Sequence, residues 1–212
     1  MSPLPERMAD HWWWRPGCRP GRRQYVWHIL LDDQGAVREA VRQVQERLED
    51  VPGLDLVPER WLHITMHIVG FTDEISEVAA EGIAAEAARA VHVLAPVVVS
   101  FGRVLFHPEA VTLAVEPAPS LSPIREAVRG ATIRVLGSEG ADADGSWVPH
   151  VTAAYSNADG PAPPVIKAVG RTVTACAGTV RQVHLVAQER QGHLYRWDET
   201  VATAGMDGEP VN

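Results

Sequence analysis

Along this chain, runs in which apolar and polar positions alternate are separated by segments in which apolar positions recur at helical spacing, so strands and helices are predicted in turn. QYVWHILL, residues 24–31, reads as a strand. Asp32-Asp33 then offer caps for a helix over 36–49, where Val37, Val41, Val44 and Leu48 keep helical spacing. Pro52, Gly53 and Pro58 break the chain before a strand over 61–69 that ends at Gly70. An Ala- and Glu-rich helix over 73–93, started by Thr72, stops before Pro96. Strands at 97–105 and 111–116 follow, joined by FHPEA, and Ser122-Pro123 opens a helix with Ile124, Ala127, Val128, Ala131 and Val135 on one face up to Gly137. ADADGS leads into the strand-like run VPHVTAAYS. After the loop NADGPAPP the pattern predicts a short helix near 164–169, a strand at 171–175 and a hairpin of 180–190 with 193–203. Residues 1–23 show no period and form an irregular Trp/Arg-rich extension ahead of a single domain over 24–212.

One order recurs. Strand, helix, strand appears at 24–31, 36–49, 61–69 and again at 111–116, 122–136, 148–155. The second strand of each unit carries the same triplet, His63-Ile64-Thr65 and His150-Val151-Thr152. Side chains two apart on a strand share a face, so each His projects with its Thr. Matching order predicts an α+β protein of two related lobes whose H-x-T strands face each other.

Composition narrows the class. At 212 residues and 46% hydrophobic the chain can bury a full core. Neither a signal peptide nor a run long enough to span a bilayer is visible, so a cytoplasmic address without membrane attachment is expected. Cys18 and Cys176 form neither a disulfide framework nor a metal pair. A net charge of −8 argues against a protein that coats nucleic acid. The charge is uneven, because Arg7, Arg15, Arg19, Arg22 and Arg23 crowd the first segment against only Glu6 and Asp10. The single lysine, Lys167, stands in VIKAVG rather than the K-x-D-G setting of ATP-dependent ligases.

Two imidazoles near neutral pH can divide proton acceptance and donation, the two acts that phosphodiester cleavage requires. The threonine hydroxyls can bind the non-bridging oxygens. This scheme calls for no metal or cofactor. With one H-x-T in each half, the chain resembles the two-histidine phosphoesterase superfamily, which includes 2′-5′ RNA ligase-like proteins and RNA 2′,3′-cyclic phosphodiesterases. The resemblance covers most of 24–204. It implies a bilobal fold of two pseudo-symmetric antiparallel-sheet lobes with outer helices, a central cleft, and metal-independent hydrolysis of a 2′,3′-cyclic phosphate to a 2′-phosphomonoester. Some members join RNA ends without ATP. Carried over by position, His63 and His150 are the catalytic pair and Thr65 and Thr152 bind the phosphate.

Other residues are weighed beside these four. His28, a polar residue in an apolar strand, is a candidate to line the site. Tyr155 faces away from His150 on a regular strand and reaches the cleft only through a bend at Ala153-Ala154. His67 shares the face of His63 on a regular strand, extending the cleft or forming a metal site with it, with a partly exposed strand-end histidine as the equal alternative. Gln188, Arg190 and Tyr195 are candidates for phosphate or base contacts, with surface placement as the plainer alternative. The segment HWWWRPGCRPGRR suits a single-stranded RNA end or packs over the fold as a clamp. The resemblance implies an RNA end or a cyclic nucleotide as substrate, and the protein is expected to be a monomer without a stable protein partner. The alternatives are a module that binds a nucleotide or RNA end without turnover, and a phosphodiesterase of a small non-RNA metabolite.

Overall fold

A computed structural model describes residues 4–141 and 147–209, so ADADGS lies, beyond Ala141, outside the described residues. The chain begins with a two-residue strand, β1 (Arg7–Met8), and reaches its first long strand, β2 (Arg23–Leu30), after an intervening arm. Helix α1 (Gly35–Leu48) buries Val37, Ala40, Val41, Val44 and Leu48, a stripe at three-to-four spacing. A short β3 (Leu54–Leu56) leads to β4 (His63–Phe71). Helix α2 (Glu77–His92) starts later than expected, because Glu74 and Ile75 first turn back onto the Phe71 carbonyl and Ser76, not Thr72, accepts the capping bond from the Ala79 N–H.

The hairpin of β5 (Val97–His107) and β6 (Ala110–Ala114) is tighter than FHPEA suggests, since His107 already pairs with Ala110. Helix α3 (Ser122–Leu136) ends at Gly137, whose φ of 73° is a left-handed conformation that suits glycine. There follow β7 (His150–Ser156), β8 (Gly160–Pro161), α4 (Ala162–Val169), β9 (Thr172–Val180), β10 (Gln182–Arg190), β11 (Tyr195–Arg196) and β12 (Thr200–Gly205). The strand expected at 171–175 runs on to Val180. Its TACAGTV lacks the bulky alternation of a buried strand because β9 lies at a sheet edge.

Two five-stranded antiparallel sheets form the body. The first runs β11-β10-β2-β4, with β12 also on β10; the second runs β3-β7-β6-β5-β9. Each repeat unit puts its two strands side by side in one sheet and sends its helix to the other. Thus α1, between β2 and β4, packs on β9 and β7, and α3, between β6 and β7, packs on β4 beside α2. The lobes are interleaved, and one apolar core runs through both.

The H-x-T strands share a detail that the sequence pattern does not reveal. In β4, Thr65 pairs with His28 and His67 with Trp27, so Met66 is an extra residue; in β7, Thr152 pairs with Thr112 and Ala154 with Val111, so Ala153 is extra. Each strand bulges at the residue after its threonine. The exposed carbonyls of these bulges are satisfied. Trp147 Nε1 donates to the Thr65 oxygen at 2.9 Å, and Gln45 Nε2 and the Val57 N–H donate to the Ala153 oxygen at 2.9 and 3.0 Å. Gln45→Ala should therefore lower stability by about 0.5–1.5 kcal/mol, the usual worth of a hydrogen bond, as read from denaturant unfolding.

Candidate active site

The paired bulges decide what faces the cleft. An extra residue reverses the alternation beyond it, so the position five after each His joins the face of that His. In β7 this brings Tyr155 inward, the bend at Ala153-Ala154 on which its placement depended; its hydroxyl bonds the Thr152 side chain. In β4 it brings Ile68 to the cleft and turns His67 away. His67 is fully buried on the opposite face, so it neither extends the cleft nor shares a metal with His63.

A cleft with about 850 Å³ of open space has His63, Thr65, Ile68 and Tyr155 in its lining. His150 comes from the other sheet, close enough that its charge lowers the pKa of His63. The two histidines are held in the same way. His63 Nδ1 lies 2.7 Å from the Trp61 carbonyl and His150 Nδ1 lies 2.8 Å from the Val148 carbonyl, each two residues back. A carbonyl only accepts, so Nδ1 carries the proton and Nε2 presents its lone pair in the neutral ring. Both rings are neutral in the free protein near pH 7: burial, partly offset by the Trp61 carbonyl, pushes His63 down to about 4, and burial likewise lowers His150.

His28 does not line the cleft, contrary to expectation. It is 0% exposed because its neighbours Trp197 and His63 cover it, the latter with ring centroids 4.1 Å apart. Burial drives its pKa well below the usual histidine range. Its Nε2–H donates to Gln188 Oε1 at 2.8 Å, and Gln188 does line the cleft beside its cross-strand partner Gln24. The bond from His28 leaves the Gln188 NH2 as the end of the amide free to face the cleft. Among the described residues no three His, Cys, Asp or Glu side chains converge to hold a metal ion.

The arm before β2 closes one side. His11 is buried, with Nδ1 3.0 Å from Glu109 and Nε2 3.0 Å from the Tyr195 hydroxyl, and its ring stacks on Tyr155 at 4.2 Å. Burial pushes His11 down to about 4, so the neutral ring donates to Glu109 and accepts from Tyr195. Trp12 donates from Nε1 to Asp55 and stacks on His193. Arg190 donates to the Trp12 and Trp13 carbonyls, and its guanidinium lies 4.0 Å above the Trp14 ring. The cleft lining also includes His11, Arg15 and Gln24. None was singled out in the sequence as a site residue, and the arginine-rich segment was the available signal.

The sequence profile of the 2′-5′ RNA ligase superfamily matches residues 32–192. The chain belongs to this superfamily. Its fold is that of several solved structures. TT0787 of Thermus thermophilus aligns with a TM-score of 0.71 at 21% identity, covering 88% of this chain and 100% of that one. E. coli LigT in its apo form aligns with a TM-score of 0.66 at 15% identity, covering 87% of this chain and 98% of that one. LigT has also been solved in complex with 3′-AMP. The MHV ns2 PDE domain aligns with a TM-score of 0.53 at 14% identity, covering 78% of this chain and 98% of that one. No curated protein matches the chain by sequence. The superfamily match begins after the arm, and among the described residues no helix is long and apolar enough to cross a membrane. Membership supports a phosphodiesterase- or ligase-type activity.

Proposed function

We propose that this protein hydrolyses a 2′,3′-cyclic phosphate, at an RNA end or on a nucleotide, to a 2′-phosphomonoester. The observation that carries the reading is the duplicated device: two H-x-T strands, each bulged after its threonine, each holding its histidine by Nδ1 to a carbonyl two residues back. One neutral imidazole takes a proton from water at Nε2 as the water oxygen attacks phosphorus. The other, protonated once the anionic phosphate is bound, delivers a proton to the 3′-oxygen as the P–O3′ bond breaks. The O2′–P bond is kept. Thr65 and Thr152 hydrogen-bond the non-bridging oxygens and offset their charge in the transition state. Tyr155 orients Thr152, and Gln188, held by His28, adds an amide to the wall. The complexes of E. coli LigT with nucleotides support a ligand of this class.

With a 5′-hydroxyl in place of water the same groups would form a 2′-5′ linkage without ATP. Hydrolysis in ¹⁸O-water tests the step. The product should be a 2′-phosphate carrying one ¹⁸O, and a 3′-phosphate product would overturn the assignment of the leaving oxygen.

A further inference from the structure

We propose that the arm between β1 and β2 is a binding site for the nucleotide that precedes the reacting end of a single-stranded RNA. The inference rests on the functional reading above and extends it from one phosphate to a chain. In the proposed reaction the phosphate takes its donors from the two H-x-T pairs, yet the cleft that His63 and Thr65 line supplies more positive and aromatic surface than one phosphate uses. In a chain of net charge −8, the cleft lining contains Arg15, Arg19, Arg22 and Arg190 and, among the described residues, no Asp or Glu.

These arginines differ in what they have left to offer. Arg15 and Arg22 share their charge with Glu109, Asp73 and Glu74. Arg190 donates to the carbonyls of Gly192, Trp13 and Trp12, which are neutral, so its charge stays on the wall. The Arg19 side chain is 70% exposed, with one 3.4 Å approach to Asp73.

The tryptophans divide in the same way. Trp12 is buried and, with His11, anchors the arm, while Trp13 and Trp14 remain 50% and 46% exposed in the lining of the cleft. Half-exposed rings, Trp14 with Arg190 over one face and Trp13 donating from Nε1 to Glu109, beside guanidinium charge suit a base and its backbone phosphate, since stacking accepts any base and arginine pairs with the phosphate.

The test separates this site from the catalytic one. Binding is measured by fluorescence anisotropy with a labelled trinucleotide ending in a 2′-phosphate, in competition with a nucleoside 2′-phosphate, while turnover of a nucleoside 2′,3′-cyclic phosphate tests the functional reading alone. The trinucleotide should bind at least about tenfold more tightly, the effect of one stacked base. Trp14→Ala combined with Arg19→Ala should abolish that advantage, Trp14→Phe should restore most of it, and rising salt should shrink it. Equal affinities for the two ligands, or an advantage that survives the double replacement, would overturn the proposal whether or not the cyclic phosphate is turned over.

Discussion

Replacing either His63 or His150 with alanine is expected to lower kcat on a 2′,3′-cyclic phosphate by about 10²–10⁴-fold, the range for losing one positioned acid or base. The double replacement should cost little more than the worse single one, because an acid and a base that serve one transition state act as a unit. Each ring also closes a hydrogen bond to a carbonyl, Trp61 or Val148, so circular dichroism should accompany the kinetics. His67→Leu is the contrast. That ring lies on the core side of β4 beyond the bulge, so its replacement should disturb stability and leave kcat at the wild-type order. A loss in His67→Leu matching that in His63→Ala would place the wrong face of β4 in the cleft.

The second large effect is on pH dependence. The profile of kcat/KM reports the free enzyme, where burial lowers both histidines. With His63 as the base, the acid limb follows its protonation as pH falls through about 4. With His150 as the acid, the alkaline limb follows its lowered value, below the ordinary 6.5. The alkaline limb of kcat/KM should therefore lie on the acid side of 6.5. Bound phosphate favours the charged imidazole, so the alkaline limb of kcat should sit at higher pH than that of kcat/KM. Stability moves in a related direction. The folded pKa of His63 is depressed, so the unfolded chain binds protons that the folded one does not, and this contribution, present above 6.5, is lost as pH falls to about 4. Thermal unfolding at each pH separates the two causes. A kcat/KM profile that stays flat well above the ordinary histidine value of 6.5 would contradict a buried histidine as the acid.

The duplicated unit was legible because strand period, helical period and H-x-T triplet all repeat in one order. What alternation alone misplaced lies beyond the bulges. His67 and Tyr155 both stand on the side opposite to that of a regular strand, since Met66 and Ala153 each absorb one residue, and an apolar bulge residue looks like any other strand position. His28 was recognised as a polar residue in need of a partner, yet sequence could not show that Gln188, 160 positions away, would supply it. The crossing of α1 and α3 to opposite sheets is equally invisible in a local pattern, because either sheet offers an apolar face. The arm is the reverse case. Its composition was conspicuous, and only the burial of His11 and Trp12 shows how it is fastened.

The central claim is that the two imidazoles do this chemistry themselves. Its most direct measurement is ³¹P NMR of a nucleoside 2′,3′-cyclic phosphate incubated with excess EDTA, comparing the wild-type protein with His150→Ala. The account predicts that the wild type converts the cyclic phosphate to the 2′-phosphomonoester at an undiminished rate and that His150→Ala leaves it intact. Dependence of turnover on added metal, or equal turnover by the two proteins, would contradict it.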